Sequence, residues 1–279
     1  MRKMWCNGPN IVSFVPERLT MTEAASSSIP ATELVYHLDS YARELDAVVV
    51  AIDQETNAVA LDRTIVYPGG GGQPYDLGTL TSANGSWQIE SGKKQGSTAW
   101  YVLSGTEGLP EIGTRAHLAL DWTRRYRLMR MHSALHVLCG MVYREYGALV
   151  TGGNMGPDRA RMDFEMDEFN PAVVAEIEQR ANAEIALERD IRVQILPREQ
   201  AFQIPDLIRT KINLLPEGIP EVRTVEIVGL DLQADGGTHV ANTREVGGIK
   251  VVGTRSKGKS NKRLEIVLTG GDGDEQYAN

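Results

Sequence analysis

The segment MHSALH (residues 131–136) places two histidines, His132 and His136, four positions apart within an apolar run. An α-helix has about 3.6 residues per turn, so residues i and i+4 project from the same face and both imidazoles can reach one point in space. Histidines with this spacing also occur as ordinary surface or core residues of amphipathic helices. The segment therefore predicts a helix that could supply two ligands to a metal site.

The other ligands must come from elsewhere, because zinc usually takes four protein ligands, or three and a water. Of the five histidines, His37 and His117 stand alone in the sequence. His239 lies in ADGGTHV (234–240), with Asp235 four positions before it. The two glycines between them can adopt φ > 0 and fold both side chains inward. The sequence thus predicts a single metal site with four ligands: His132, His136, Asp235 and His239.

Three motifs together resemble the editing domain of alanyl-tRNA synthetases and its free-standing relatives, the AlaX family of alanyl-tRNA editing proteins. They are PGGGGQPYDLG (68–78), HSALH (132–136) and GGTHVANTREVG (236–247), in the family's order within a match from about residue 35 to 270. The resemblance implies a zinc ion held by the two helix histidines, a cysteine and the third histidine. Asp235 stands where the family usually has the cysteine.

Asp235 leaves three alternatives open. A carboxylate can bind zinc directly at about 2.0–2.2 Å. Three histidines could instead hold the metal, with Asp235 in the outer shell as orienter or general base. The metal could also be weak or absent. We favour the first two, because aspartate keeps charge and reach. Cys139, three positions after His136, is expected to be a small buried thiol and is a reserve ligand if Asp235 does not bind.

The resemblance implies hydrolysis of the ester that joins a wrong amino acid, chiefly serine and sometimes glycine, to the 3′ end of alanine tRNA. A bound zinc would lower the pKa of a water and polarise the carbonyl, so Asp235, His132 and His136 are the expected catalytic residues. Serine differs from alanine by one hydroxyl, and a site that pairs this hydroxyl rejects alanine. The expected substrate contacts, mostly by resemblance, are Thr64 for that hydroxyl, with Gly71, Gly72, Gln73 and Thr238.

Two other functions remain open at this stage. The chain could be a tRNA-binding protein in which zinc only stabilises the fold, since four protein ligands look the same in sequence. It could also be a metallohydrolase of another aminoacyl ester, for which the acidic surface is mild support. Activity on charged tRNA separates these alternatives.

The net charge of −8 argues against a general nucleic-acid coat but allows a local tRNA footprint. Charge runs are often only solvated faces. Two basic clusters flank the predicted site, however, and we expect them to contact the phosphates of the partner, mischarged tRNA(Ala). They comprise Arg124, Arg125 and Arg127, with Arg130 beside them, and Lys257, Lys259, Lys262 and Arg263.

The sequence predicts a cytoplasmic protein. No apolar run approaches the length of a membrane helix, and the first residues lack the pattern of a signal peptide. Two cysteines, Cys6 and Cys139, cannot form a disulfide framework. No Walker loop, dinucleotide fingerprint or ATP-binding motif is visible, so no nucleotide cofactor is expected. The oligomeric state does not follow from the sequence.

The predicted fold class is α+β. Short β-like runs between about 45 and 120 indicate a small barrel or sandwich, and the resemblance implies a barrel-like domain over 31–120. Residues 121–270 are expected to form the editing domain, with helices packed on an antiparallel sheet. Its two main helices are predicted from Asp121 to Gly147 and from Asn170-Pro171 to about Glu188. Residues 1–30 read as a poorly ordered extension, with Met21 as an alternative start, and 271–279 as a tail.

Overall fold

The computed structural model describes residues 29–270 apart from 106–107, 168, 213–214, 216–217 and 259. Most of the predicted extension (1–28), with Cys6 and Met21, and the whole predicted tail (271–279) lie outside the described residues. Among those described, the architecture is mostly β-sheet with a six-stranded barrel and few helices, which is compatible with the predicted α+β class. No helix in these ranges is both long and apolar enough to cross a membrane.

The barrel is closed by six antiparallel strands in the order β2-β3-β7-β6-β5-β8. Alternate residues of β2 point inward, as a strand with one buried face requires. The short β-like runs predicted between about 45 and 120 form strands here, so this prediction is confirmed. The strands up to the end of the barrel are β1 (Glu33–Leu34), β2 (Glu44–Asp53), β3 (Ala58–Leu61), β4 (Arg63–Thr64), β5 (Gly78–Ser82), β6 (Gly85–Gln95), β7 (Thr98–Ser104) and β8 (Arg115–Leu120).

Helix α1 (Trp122–Tyr146) carries the two paired histidines and follows the barrel directly. Its predicted ends are confirmed: the Asp121 carboxylate accepts from the backbone N–H of Arg124 at 3.0 Å, and Gly147 closes the helix at φ +64°. Between residues 125 and 142 only Arg127 is exposed. This part of the helix is therefore buried on all sides. It lies within the hydrophobic core formed by the residues that follow the barrel in the chain.

Two antiparallel sheets surround α1 and α2, in the orders β14-β15-β10-β9 and β11-β12-β13. Asn170 caps α2 as predicted, but this helix ends at Ile185, three residues before the predicted Glu188, whose φ of +49° does not continue a helix. The elements are β9 (Val150–Met155), β10 (Ala160–Glu165), α2 (Pro171–Ile185), β11 (Ile191–Pro197), α3 (Arg198–Ala201), β12 (Glu221–Ile227), β13 (Asp231–Ala234), β14 (Gly248–Ser256) and β15 (Asn261–Thr269).

A fully buried ion pair joins α1 to the loop that contains the glycine motif. Arg125 donates from Nε to Asp76 Oδ2 at 2.9 Å, and its Nη2 contacts the same oxygen. The Asp76 carboxylate also accepts from the N–H of Tyr67 at 2.7 Å, and Arg125 reaches the carbonyls of Ser40 and Ile65. Helix, loop and N-terminal segment are thus held at one point in the interior.

We expect Asp76→Asn to lower the free energy of unfolding by about 3–5 kcal/mol, because Arg125 would remain buried without its counter-ion. Urea unfolding followed by circular dichroism measures the change. Glu33→Gln is the matched control, since the Glu33–Arg63 pair is 63% and 42% exposed and should contribute less than about 1 kcal/mol. A loss from Asp76→Asn no larger than that of the control would contradict the importance of the buried pair.

Candidate metal centre

The four predicted ligands converge in the structure. Nε2 of His132 and of His136 lie 3.6 and 3.9 Å from Oδ1 of Asp235, and Nε2 of His239 lies 3.1 Å from its Oδ2. The four donor atoms are all within 4.8 Å of one another. Helix periodicity brings the imidazoles of His132 and His136 together. The glycine-containing turn after β13 brings Asp235 and His239 together.

The donor set fits a tetrahedral zinc ion. Bonds of about 2.0–2.1 Å to zinc place neighbouring donors of a tetrahedron about 3.3–3.4 Å apart. The separations from the Asp235 carboxylate are near that value, at 3.6 and 3.9 Å from Oδ1 to the helix histidines and 3.1 Å from Oδ2 to His239. Three nitrogen donors and one carboxylate oxygen also suit other divalent metals of the first transition row, so the donor set alone fixes a class of ion.

Electrostatics keep the four groups in the form that binds a metal. Burial lowers the pKa of His136 to about 4 and also lowers the pKa values of His132 and His239. Burial acts against the Asp235 carboxylate as well, but the neighbouring imidazoles, His132 first, hold its pKa well below the usual range. At neutral pH the centre presents three neutral imidazoles and one carboxylate, which metal binding requires.

Hydrogen bonds with neighbouring residues orient two of the four predicted ligands. Oγ of Ser133 lies 3.1 Å from Nδ1 of His239 and accepts the N–H of Val240. A proton on Nδ1 of His239, donated to Ser133, leaves Nε2 free to bind metal. The N–H of Gly237 donates to Oδ2 of Asp235 at 2.7 Å, which turns Oδ1 toward the helix histidines. This arrangement favours direct coordination through Oδ1.

The glycine motif forms a tight turn beside the centre. Gly70 and Gln73 exchange backbone hydrogen bonds of 3.0 and 2.9 Å, and the two residues between them, Gly71 and Gly72, have φ of +56° and +93°. Positive φ at both central positions of a two-residue turn requires glycine or a residue that tolerates this region. The turn ends at Gln73, whose amide accepts from the N–H of Thr238 at 3.0 Å and donates to its hydroxyl at 2.9 Å.

The structure thus brings the predicted substrate contacts Gln73 and Thr238 together beside the histidines, but it pairs them with each other. Gly71 is exposed, with no atom that a side chain would meet. Thr64 is fully buried at the barrel end, where its hydroxyl accepts from the N–H of Val66 at 3.0 Å, and the hydroxyl of Tyr101 donates to the carbonyl of Val66 at 2.6 Å. Contact of any of these groups with a substrate stays a prediction.

Two of the residues predicted to contact phosphates are buried in the structure. Arg125 is fully buried in the ion pair with Asp76, so its charge is neutralised inside the fold. Lys262 is 6% exposed, with Nζ donating to Oγ of Ser256 and to the carbonyl of Gly258. The neighbouring Arg130 is also buried and donates to the carbonyl of Val246.

The other basic residues lie nearer the surface. Arg124 is half-buried and donates to the carbonyl of Tyr75, and the exposed Arg127 pairs with Asp158. Lys257 and Arg263 both bind Asp163, at 3.1 and 2.6 Å. Lys259 lies outside the described residues.

Sequence reasoning missed Arg223, whose Nη1 lies 3.5 Å from Oδ2 of Asp235. An arginine between valines in a run with the alternation of a strand was the available signal, since a buried strand rarely carries an unpaired cation. His37, expected to stand alone, accepts from Nε of Arg223 at 2.8 Å through its carbonyl. Cys139, the reserve ligand, is buried near Asp231 outside the ligand group, and burial raises the pKa of its thiol to about 12.

Comparisons with known proteins identify the family of the chain. Residues 222–265 match the family described as threonyl and alanyl tRNA synthetase second additional domain, and residues 20–124 match class II (A) tRNA synthetases. The alanyl-tRNA editing protein AlaX-M of Saccharolobus solfataricus is 38% identical over 85% of this chain and 99% of its own length. An AlaX-L protein of Pyrococcus horikoshii is 34% identical, covering 84% of this chain and 57% of that protein. The alanine–tRNA ligase of Ignicoccus hospitalis is 35% identical over 87% of this chain but only 26% of the ligase.

We expect Gly237→Ala to weaken zinc binding by at least about tenfold. This is the lower end of the loss in metal affinity that follows when a residue that orients a metal ligand is changed. A Cβ at this position would lie 2.5 Å from both Nδ1 of His132 and Oε1 of Gln73, so the imidazole must move. Zinc affinity is measured by competition with a chromogenic chelator.

Gly236→Ala is the matched control for this substitution. A Cβ on Gly236 would meet nothing within 4 Å, and neither glycine has positive φ. Equal zinc affinity in the two variants would show that the contact between Gly237 and His132 does not position the ligand.

Proposed function

Because the chain belongs to the AlaX family of alanyl-tRNA editing proteins, which are deacylases of mischarged tRNA, we propose that it hydrolyses mischarged tRNA(Ala), chiefly Ser-tRNA(Ala) and also Gly-tRNA(Ala), with the help of zinc. The observation that carries the proposal is the meeting of His132, His136, Asp235 and His239 at the separations of a tetrahedral site. The match to the AlaX-M relatives over almost their whole length supports it.

In the proposed reaction the residues of the centre hold the ion and fix its surroundings. A bound zinc ion supplies Lewis acidity for the attack of water on an ester. His132, His136 and His239 would bind it through their imidazole nitrogens, and the contact of Ser133 with Nδ1 of His239 would fix the tautomer that leaves Nε2 free. Asp235 would supply its carboxylate, of which Oδ2 accepts the N–H of Gly237. The burial of these side chains excludes bulk water and strengthens each electrostatic contact.

Selection of serine over alanine requires a partner for the serine hydroxyl, and we assign this role to Thr64. A site that pairs a substrate hydroxyl discriminates far better than an apolar pocket. The Thr64 hydroxyl already accepts the N–H of Val66, so a serine hydroxyl would join or replace this partner. Gly71, Gly72, Gln73 and Thr238 then form the wall of the amino-acid pocket.

The tRNA would lie along the basic residues that remain near the surface: Arg124 and Arg127 at the start of α1, and Lys257 and Arg263 on the β14–β15 hairpin. Each pairs with a carboxylate or carbonyl of the chain, so phosphates would compete with or join these pairs. Lys259, outside the described residues, stays a phosphate contact proposed from the sequence alone.

A purely structural zinc site in a tRNA-binding protein is the second candidate. The burial of the four donors, with Asp235 the most exposed at 15% of its side chain, is the observation that favours it. Four protein ligands without an open position are typical of structural zinc. Activity decides between the two functions.

We expect the protein to deacylate Ser-tRNA(Ala) at least about 10²-fold faster than Ala-tRNA(Ala), because only serine can form the added hydrogen bond. Release of labelled amino acid from the two charged tRNAs measures the rates. A chelator should abolish the reaction, and zinc should restore it.

Thr64→Val keeps the shape of the side chain but removes the hydroxyl. It should lower the ratio of the deacylation rate of Ser-tRNA(Ala) to that of Ala-tRNA(Ala). A metal-loaded protein that hydrolyses neither tRNA would support the structural alternative. Faster hydrolysis of a free aminoacyl ester than of charged tRNA would support a hydrolase of another ester.

Asp235→Ala should lower zinc affinity by at least about 10- to 100-fold, the effect of removing even an outer support of a metal ligand, and deacylation should fall with it. Asp235→Cys should retain zinc, because a thiolate binds the same ion. Metal content is measured by atomic emission after dialysis, together with the deacylation rate.

The same pair of variants separates the two roles considered for Asp235. Full zinc content with lost activity in Asp235→Ala would make Asp235 an outer-shell base. Wild-type zinc content and wild-type deacylation would exclude both roles.

A further inference from the structure

Arg223, on β12, is fixed against the carboxylate side of the candidate metal centre. It is 7% exposed, and its Nε donates to the carbonyl of His37 at 2.8 Å. Its Nη1 donates to the backbone carbonyl of Asp235 at 2.9 Å. These carbonyls belong to distant parts of the chain, so the plane of the guanidinium cannot rotate without breaking one of the two bonds.

The second amino group of the same guanidinium has no hydrogen-bond partner among the described residues. Nη2 of Arg223 is buried, and no acceptor in the described ranges reaches it. Leaving a buried donor unpaired is unfavourable, and more so when the group is charged. Folded proteins pair nearly all such groups, so an unpaired amino group on a buried guanidinium beside the candidate centre calls for an acceptor from a ligand.

The position of Arg223 identifies that acceptor. Its Nη1 lies 3.5 Å from Oδ2 of Asp235, and the other oxygen of this carboxylate faces His132 and His136. The guanidinium that carries the unpaired amino group therefore lies beside the carboxylate of Asp235, where the reacting ester of the proposed function must bind. The ester carbonyl is an acceptor that becomes negatively charged during hydrolysis, which a guanidinium stabilises.

We propose that Nη2 of Arg223 donates a hydrogen bond to the carbonyl oxygen of the aminoacyl ester and stabilises the oxyanion as water adds. This inference rests on the proposed function. The water oxygen bonds to the carbonyl carbon, and the carbonyl electron pair moves to the oxygen held by Arg223. The bond to the ribose oxygen then breaks, a proton passes to that oxygen, and the free amino acid leaves. Arg223 neither gains nor loses a proton.

If Arg223 only held Asp235 in place, it would need only Nε and Nη1. A role in positioning Asp235 and a role in stabilising the oxyanion therefore predict different results. If Arg223 only positions Asp235, its loss lowers zinc affinity, and activity falls in proportion. If it binds the developing oxyanion, its loss lowers kcat while zinc remains bound. Removal of one preorganised donor to an oxyanion costs about 10²–10³-fold in kcat.

The test is Arg223→Lys, which keeps a cation but cannot present the planar pair of amino groups. We expect kcat for Ser-tRNA(Ala) to fall about 10²–10³-fold, with zinc per chain, KM and the urea unfolding midpoint close to wild type. Arg223→Ala should recover part of its kcat when guanidinium is added at millimolar concentration, whereas ammonium should not restore it.

Arg189→Lys is the matched control. Arg189 also holds a backbone carbonyl, that of Val228, through Nη1, and pairs with Glu184 away from the centre. Its substitution should leave kcat unchanged. Unchanged kcat in Arg223→Lys, or a fall that only follows lost zinc, would overturn the role of Arg223 while leaving the deacylase function intact. A wild-type protein inactive on both tRNAs would instead refute the proposed function and this inference with it.

Discussion

The buried pairing of Arg125 with Asp76 is the constraint on which the site depends. Neither charge can stay in the interior alone, so the start of α1 must meet the loop that ends the glycine motif. Gln73 lies three residues before Asp76, and this meeting brings its amide to Thr238, next to His239. The ion pair therefore sets the distance between the glycine turn and the metal ligands, although it touches neither.

Local signals predicted the parts of the site that depend on local structure. Helical periodicity aligned His132 with His136, and the cap residues Asp121 and Gly147 set the ends of α1. The turn that brings Asp235 to His239 was also predicted, but from positive φ at Gly236 and Gly237, which neither glycine adopts. These features need only a few neighbouring residues, so the sequence alone contains the necessary information. Recognition of the family by three motifs added the expectation that the two halves of the site would meet.

The remaining features depend on contacts between residues far apart in the chain. Arg125 reads as one member of a cationic cluster until Asp76, 49 residues earlier, is placed against it. The same holds for Arg223, whose partners His37 and Asp235 come from opposite ends of the described chain. Strand β9 escaped prediction because Gly152 and Gly153 lower its strand propensity. Charge and propensity indicate how a residue can behave, whereas burial depends on the final topology.

The two oxygens of Asp235 explain how a carboxylate can replace a thiolate at this position. Oδ2 is occupied by the N–H of Gly237 and lies near Nη1 of Arg223, while Oδ1 faces the helix histidines. One oxygen can be neutralised by the protein as the other binds an ion. A thiolate has a single donor atom, for which Arg223 and the metal would compete. The buried guanidinium is therefore compatible with a carboxylate ligand, and the charge that Asp235 supplies makes the burial of Arg223 tolerable.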